Sequence, residues 1–219
     1  ERYVAVKTKK FVVYPYKLQN NKTVIIEEEE LSSKFPKTYN YLLKNKKSLE
    51  ARKDSRKTFA GKKNWYGLIR FGLLDHFNNE KIITSGEVRE HKFTIDTAGY
   101  GFLVARIFSV TISSKQYELK YVLALLNSRI GVYFLHNTAP RKQRGYFGYS
   151  SEFLNNFPIP LADSSLRKKI VQKVDFLIGN IKKEDMKKQI ANAEKDIDDL
   201  VYKAYNITEE ERKIIESSV

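Results

Sequence analysis

One change of pattern constrains the fold of this chain more than any other feature. Up to Phe157-Pro158-Ile159-Pro160, short runs of β-branched and aromatic residues alternate with helical stretches and glycine-containing turns. Beyond these paired prolines, which stop a preceding helix, apolar residues recur at helical spacing almost to the end of the sequence. The pattern predicts an α+β chain. Small, irregular mixed sheets and packed helices fill residues 1–160, and a C-terminal helical hairpin over residues 161–219 packs on them.

The first 50 residues are predicted to hold a strand pair and then a helix. Residues 11–16 and 23–26 are rich in β-branched and aromatic residues and flank a polar turn at residues 19–21. Helical spacing begins at Pro36, which suits a first helical turn because its missing N–H costs nothing there. The acidic run of residues 27–30 is expected to be a solvated strand edge, with a divalent-cation site as the weaker alternative.

Short strands and further helices are predicted in the rest of the chain. The strands fall at residues 81–84, 92–96 and 106–112. Ser113 with Gln116 resembles a capping box for a core helix, and a second apolar run covers residues 130–135. In the tail, Ser164 or Ser165 is the expected N-cap, two apolar stripes cover residues 170–181 and 190–205, and Thr208 with Glu211 resembles the capping box of a last helix.

Charge divides the chain at the same place as the pattern does. Residues 1–160 hold 28 Lys and Arg against 14 Asp and Glu, whereas residues 161–219 hold 12 against 12. The whole net charge of +14 therefore lies before the tail. Such an excess attracts polyanions, because Lys and Arg displace condensed counterions from phosphates. Charge alone leaves open a basic protein without any nucleic-acid role.

Several classes of function find no support in the sequence. Cysteine is absent, which excludes thiolate metal sites and a cysteine nucleophile from this segment. His76, His91 and His136 are too scattered for a metal-ligand motif and are interpreted as structural or surface residues. No Walker loop, nucleophile elbow or kinase signature occurs, and no apolar stretch is long enough to span a bilayer. We expect no catalytic, cofactor-binding or metal-binding residue in the chain, and a cytoplasmic setting.

Cations and aromatic residues cluster in two places, which is the combination that nucleic-acid binding needs. The first cluster holds the cations Arg52, Arg56, Lys57, Lys62 and Lys63, near Trp65 and Tyr66. The second cluster is a glycine-hinged segment that holds Arg141, Lys142, Gln143, Arg144 and Tyr146. An arginine fork reaches guanine O6 and N7 together, glutamine pairs with adenine, and lysine mainly anchors phosphate. We predict phosphate contacts for the first cluster and base or groove contacts for the second.

The order of motifs resembles the TaqI-like C-terminal specificity domain of adenine-N6 DNA methyltransferases and fused type II restriction-modification enzymes. The residues that carry the resemblance run along nearly the entire chain. They are Tyr14-Pro15-Tyr16, Phe35-Pro36 with Tyr39-Asn40-Tyr41-Leu42, Leu49 with Arg52, Trp65-Tyr66, Lys81-Ile82-Ile83, Phe93 with Asp96, Leu125-Leu126-Asn127-Ser128, Tyr149 with Phe153-Leu154, Phe157-Pro158-Ile159-Pro160, and Ile197-Asp198-Asp199-Leu200-Val201-Tyr202 with Tyr205 and Thr208-Glu209-Glu210-Glu211.

The resemblance implies a DNA target recognition domain over residues 1–160, with residues 161–219 as a helical tail. It implies that the fragment is not itself an enzyme. The prokaryotic parent would be a site-specific adenine-N6 methyltransferase, with endonuclease activity as a further option. Its N-terminal methyltransferase domain would bind S-adenosylmethionine, with Mg2+ as a second candidate cofactor. The implied partners of this chain are double-stranded DNA and that separate domain, and no membrane.

Three other functions remain open from the sequence. An RNA-binding module would use the same charge and exposed rings to stack on unpaired bases. A protein-interaction scaffold would use the helical tail and would bind nucleic acid weakly. A hidden hydrolase would show activity in the isolated fragment with added metal.

Overall fold

The computed structural model describes residues 2–5, 10–54, 57–58, 62–99 and 106–219. Its contacts divide the chain into two compact units. The described part of the first unit lies within residues 10–78, and that of the second unit comprises residues 2–5, 79–99 and 106–219. Among the described residues, no helix is both long enough and apolar enough to cross a membrane.

Short strands and short helices alternate in the described chain up to about residue 110, and helices dominate the rest. The strands are β1 (Tyr3–Val4), β2 (Tyr16–Gln19), β3 (Lys22–Ile25), β4 (Lys53–Asp54), β5 (Lys57–Thr58), β6 (Lys81–Ser85), β7 (Glu87–Val88), β8 (Thr94–Asp96), β9 (Ile107–Val110) and β10 (Phe147–Gly148). The helices are α1 (Glu28–Lys34), α2 (Pro36–Lys44), α3 (Lys46–Glu50), α4 (Leu74–Asn78), α5 (Leu119–Asn127), α6 (Arg129–Thr138), α7 (Ser151–Asn155), α8 (Ser164–Asn180), α9 (Lys187–Ala204) and α10 (Glu209–Ser218).

The first unit joins a β-hairpin to a small helical core. Strands β2 and β3 pair antiparallel, and the turn between them holds Asn20 and Asn21, both with positive φ, which asparagine tolerates better than most residues. A strand pair is therefore present and the predicted second strand is confirmed as β3, but the predicted first strand over residues 11–16 is wrong except at Tyr16, where β2 begins. Phe11, at the start of the expected strand, is 95% exposed. The core consists of Leu31, Leu42, Trp65 and Tyr66.

The acidic run lies in a helix, so the predicted strand edge is wrong. Glu28, Glu29 and Glu30 form the first turn of α1. Carboxylates are favourable in this position because unpaired N–H groups and the aligned peptide dipoles make a helix N-terminus positive. Pro36 does occupy the first turn of α2, as its missing N–H predicts.

The second unit is built on a mixed four-stranded sheet in the order β1-β8-β6-β9. Strands β1 and β8 are parallel, and the other two pairs are antiparallel. Lys81 and Asp96 face each other across β6 and β8 and form a fully buried ion pair with 2.8 Å between Nζ and Oδ2. The predicted strands 81–84, 92–96 and 106–112 are confirmed, the first with one more residue and the other two with shorter limits. Helix α5, which is buried from Tyr121 to Asn127, packs on this sheet.

Two predicted helix starts are wrong and one is confirmed. Helix α5 begins at Leu119 without a side-chain cap, so Ser113 and Gln116 form no capping box for it. Helix α8 is capped by Asp163, whose Oδ1 accepts from the backbone N–H groups of Ser165 and Leu166, because aspartate is as good a cap as serine and precedes both candidates. The capping box of Thr208 and Glu211 at α10 is present.

The tail packs through its apolar stripes. Helices α8 and α9 pack against each other, and α8 also packs against α5. The stripe of α8 buries Ile170, Val174 and Leu177. The proline-containing segment before the tail is held by two hydroxyl groups: Tyr121 donates to the carbonyl of Pro160 and Tyr205 to that of Pro158. The α+β class and the C-terminal helical hairpin are confirmed, whereas a functional domain boundary at residue 160 stays a prediction.

Candidate nucleic-acid interface

A β-hairpin over residues 140–148, which we name the reading hairpin, carries the second predicted cluster. Its two arms are joined by hydrogen bonds from the Gly148 N–H to the Pro140 carbonyl, 3.0 Å, and from the Lys142 N–H to the Tyr146 carbonyl, 2.7 Å. Its second arm, β10, pairs antiparallel with β7, so that Phe147 lies opposite Val88 and Gly148 opposite Glu87. The hairpin is therefore an extension of a small sheet in the second unit.

The tip of the reading hairpin depends on a glycine. Gln143, Arg144 and Gly145 form a short 3-10 turn in which Arg144 has φ 60° and Gly145 has φ 74°. Two successive residues with positive φ reverse the chain within three positions, and glycine makes the second of them inexpensive. The turn leaves the Arg144 side chain exposed at the tip.

The structure brings all five members of the second cluster together on this hairpin. Arg141, Lys142, Gln143 and Arg144 are exposed, and Tyr146 is 38% exposed. A hollow of about 540 Å³ is lined by Arg141, Lys142, Gln143, Tyr146 and one acidic residue, Glu87. The surface thus offers guanidinium, ammonium, amide, phenol and carboxylate groups side by side.

Glu87 is held in place by two cations. Its Oε1 accepts hydrogen bonds from Lys142 Nζ, at 3.1 Å, and from Arg106 Nη1. The bond from Lys142 and the nearby Arg106 lower the pKa of Glu87 below its usual value, although partial burial opposes them. The carboxylate is therefore ionised at neutral pH.

Aromatic contacts fix the base of the reading hairpin. The ring of His136, from α6, stacks on Phe147 with 3.9 Å between centroids and 4° between planes. Arg141 also lies near this ring, with its Cζ 5.9 Å from the Phe147 centroid. Because α6 is part of the core, these contacts tie the hairpin to a rigid helix.

A buried histidine supports the residue that follows β10. His91 is 6% exposed, its Nδ1 is 2.7 Å from the hydroxyl oxygen of Tyr149, and its Nε2 lies against the carbonyl of Leu126. A carbonyl only accepts, so Nε2 donates and Nδ1 accepts from the Tyr149 hydroxyl. Burial lowers the pKa of His91 to about 4, so the ring is neutral near pH 7. Both nitrogens are occupied, which makes His91 structural.

The first predicted cluster lies in the first unit, and two of its cations, Arg52 and Lys63, have partners among the described residues. Arg52 donates from Nε to the carbonyl of Leu49 and from Nη2 to the carbonyls of Trp65 and Gly67, at 2.8 to 3.0 Å. Lys63 Nζ lies 2.9 Å from Glu27 Oε2, and the Lys63 side chain is 74% exposed. Arg52 is thus engaged by the backbone, whereas Lys63 keeps most of its surface in contact with solvent.

The remaining members of the first cluster are exposed or lie outside the described residues. Lys62 is exposed. Arg56 and the side chain of Lys57 lie outside the described part of the chain. The phosphate contacts predicted for this cluster are not tested by its internal contacts, and they stay predictions.

A larger cavity of about 760 Å³ in the second unit is a poor match for a polyanion. Its cations face carboxylates: Arg129 Nε lies 3.4 Å from Asp198 Oδ2, and Arg212 Nη2 lies 2.7 Å from Asp199 Oδ1. The charges balance within the cavity. The reading hairpin, where exposed cations outnumber the single carboxylate of the hollow, is the better candidate.

Sequence reasoning missed Glu87 and Arg106. Their importance comes from the pairing of β7 with β10, which joins residues about 60 positions apart. Glu87 belongs to no predicted element or motif, and Arg106 was noted only as the first residue of the predicted strand 106–112. The one signal in the sequence was a carboxylate, Glu87, directly after Ser85 and Gly86 at the end of a predicted strand, and that signal is weak.

The sequence of the chain matches a family of specificity domains. Residues 12–159, about two thirds of the chain, match the family of TaqI-like C-terminal specificity domains, and the chain belongs to this family. The chain is also similar to the type II restriction enzyme and methyltransferase RM.Eco57I of Escherichia coli, with 27% identity over 173 residues. The match covers 74% of this chain and 17% of that relative, so the chain spans only a small part of the relative's length.

Proposed function

We propose that this chain is the target recognition module of an adenine-specific DNA methyltransferase or of a fused type II restriction-modification enzyme. The family membership and the similarity to RM.Eco57I support this class of parent. The observation that carries the proposal for this chain is the exposed reading hairpin, on which four polar and charged side chains and a tyrosine lie next to one another. Such a ribbon has the dimensions that the major groove of duplex DNA admits.

Each side chain of the hairpin has a proposed role that follows from its donors and acceptors. Arg141 and Arg144 each offer a planar fork that matches O6 and N7 of guanine, and Gln143 offers the donor and acceptor that adenine N7 and N6 require. Lys142 and Tyr146 would contact groove edges. These contacts would specify the sequence directly, because base edges differ between base pairs whereas phosphates do not.

The first cluster is proposed to bind phosphate. Lys62 and Lys63 are exposed, and each would add affinity that does not depend on sequence. The same role, predicted for Arg56 and Lys57, stays part of the proposal. For Arg52 we propose a structural role in addition, because its guanidinium already binds three carbonyls.

The chemistry is assigned to a separate domain of the parent protein. The sequence contains neither the Asn/Asp-Pro-Pro-Tyr/Phe motif of adenine methyltransferases nor their glycine-rich cofactor loop, so S-adenosylmethionine does not fit this chain. This module would hold the duplex so that one adenine can leave the stack. Extrusion of a base costs a few kcal/mol, which contacts of a recognition module offset.

Selection from a randomised duplex library tests the proposal. The 219-residue chain should enrich one sequence. Arg141→Ala or Arg144→Ala should relax discrimination at one base position by about 1–3 kcal/mol, whereas Lys62→Ala should weaken binding to all duplexes alike and reduce the salt slope by about one. Equal effects of the arginine and lysine variants would refute the division of roles. Tighter binding to single-stranded RNA than to duplex DNA would favour an RNA-binding module instead.

A further inference from the structure

Glu87 is an unusual residue for a DNA-facing surface. A carboxylate repels phosphates, so it lowers affinity for every duplex regardless of sequence. It nevertheless lines the same hollow as Arg141, Gln143 and Tyr146. Its backbone is fixed opposite Gly148 by the pairing of β7 with β10, so the carboxylate is part of the hairpin's own framework.

The carboxylate has acceptor capacity to spare. Both of its hydrogen bonds, from Lys142 and Arg106, go to Oε1. Within the described part of the chain, Oε2 accepts none, and 35% of the side chain is exposed. The two cations hold the group in one orientation and partly neutralise it, which reduces its repulsion of the backbone while leaving one oxygen open to a ligand.

In the major groove, the partners for such an oxygen are the exocyclic amines of two bases. Cytosine N4 and adenine N6 donate, whereas guanine O6 and thymine O4 only accept. An ionised carboxylate would bind the amine of cytosine or adenine and would repel the carbonyl oxygen of guanine or thymine. It would thus discriminate by attraction and by repulsion at one position.

We propose that Glu87 is a specificity-determining residue that accepts a hydrogen bond from the exocyclic amine of a cytosine or adenine in the recognised sequence. The inference rests on the proposed role of the reading hairpin in DNA recognition. Its rival is that Glu87 only clamps Lys142 and Arg106. A clamp would be needed for folding or affinity, but it would not select a base.

The first experiment compares Glu87→Gln with the wild-type chain in a randomised duplex selection. In the wild type, one position should require cytosine or adenine, and in Glu87→Gln that position alone should lose about tenfold in preference. Affinity for unrelated duplexes should rise, because a negative charge has gone and two cations are released. A clamp predicts an unchanged preference at every position, whatever the change in affinity, and that result would overturn the inference.

Two further variants control for charge and for folding. Glu90→Gln removes the same charge from an exposed residue of the same unit that lies outside the hollow, and it should leave every preference unchanged. Glu87→Asp keeps the charge but withdraws the oxygen by one methylene, so it should weaken the same position while the clamp charge stays. If Glu87→Gln fails to fold, an unchanged preference in Glu87→Asp sinks the inference.

Base analogues identify the donor. Purine in place of adenine, or 2-pyrimidinone in place of cytosine, removes only the exocyclic amine from the selected duplex. The analogue should cost the wild type about tenfold in affinity and cost Glu87→Gln almost nothing. If the analogue costs the wild type and Glu87→Gln the same affinity, the role of Glu87 is refuted while the proposed function stands. A wild-type chain that selects no sequence at all would instead refute the proposed function.

Discussion

The reading hairpin and the basic stretch of residues 44–63 look alike in sequence, but their described arginines are used in different ways. On the hairpin, Arg141 and Arg144 are exposed, and the backbone of the tip is shaped to present them. In the basic stretch, Arg52 binds three carbonyls and Lys46 lies over the ring of Trp65, with 5.0 Å between Nζ and the ring centroid. A cluster of cations therefore indicates a binding surface only where the fold leaves the charges exposed.

The difference lies in what each backbone needs. The hairpin pairs backbone N–H and C=O groups between its arms and with β7, so those groups do not require its arginine side chains as donors. The segment around Trp65 has little regular structure, and its carbonyls take a donor from Arg52 instead. Four measurements would break or sharpen this contrast.

The largest expected effect is a loss of folding stability at acidic pH. It comes from His91, which bonds Tyr149 next to the reading hairpin. Burial lowers the pKa of His91 from 6.5 to about 4, so between these values the unfolded chain binds a proton that the folded chain excludes. The stability from this group is complete above pH 6.5 and falls as the pH drops through the window, by up to about 3 kcal/mol. Urea unfolding at several pH values should show this loss.

The matched variants for this effect are His91→Gln and His76→Gln. The first should remove most of the slope between about pH 6.5 and pH 4.5, and the second, which changes an exposed ring, should leave it intact. An NMR titration of the His91 ring in the wild type reads the pKa directly. A ring that titrates near its ordinary pKa of 6.5 would contradict the expectation.

The next effect concerns Arg52 in the first unit. Arg52→Ala should lower the free energy of unfolding by about 2 kcal/mol, because three carbonyls lose a charged donor. The single tryptophan, Trp65, lies in the core of this unit and reports its unfolding by fluorescence. Lys47→Ala, at an exposed position nearby, should leave the transition unchanged. If Arg52→Ala keeps its stability but loses affinity for DNA, the main role of Arg52 is phosphate binding and not the support of the backbone.

A smaller effect is expected at the hairpin tip. Gly145→Ala should cost about 1 kcal/mol, since an added Cβ meets no atom within 4 Å but must adopt φ 74°. Gly179→Ala is the control: its Cβ also meets nothing, it lies in α8, and the change should stabilise the chain slightly. If thermal unfolding shows that both variants shift Tm in the same direction, the tip is not held in this conformation.

The smallest expected change in stability belongs to Lys63. Its ion pair with Glu27 is exposed and screened by water, so Lys63→Ala should leave the unfolding transition where it is. Duplex affinity should nevertheless fall for all sequences, and the salt dependence should become shallower by about one unit. If Lys63→Ala changes the sequence preference, Lys63 contacts bases and not only phosphates.

Local rules accounted for much of the fold. The turn at Asn20 and Asn21, Pro36 in a first helical turn, the capping box of Thr208 and the apolar stripe of α8 each depend on residues within a few positions of one another. The family resemblance depends on the order of such local motifs, and the match of residues 12–159 to the family confirmed it. Periodicity and turn chemistry are properties of short segments, so a sequence displays them directly.

The sequence by itself determined the α+β class, the helical tail, the basic character of the first 160 residues and the five polar or aromatic side chains of the hairpin. Only the tertiary structure decided that Arg52 is engaged by carbonyls, that His91 supports Tyr149, and that Glu87 joins the hollow. The physical reason is sequence separation. His91 and Tyr149 are 58 positions apart, and the local sequence of neither segment indicates which distant strand or helix packs against it.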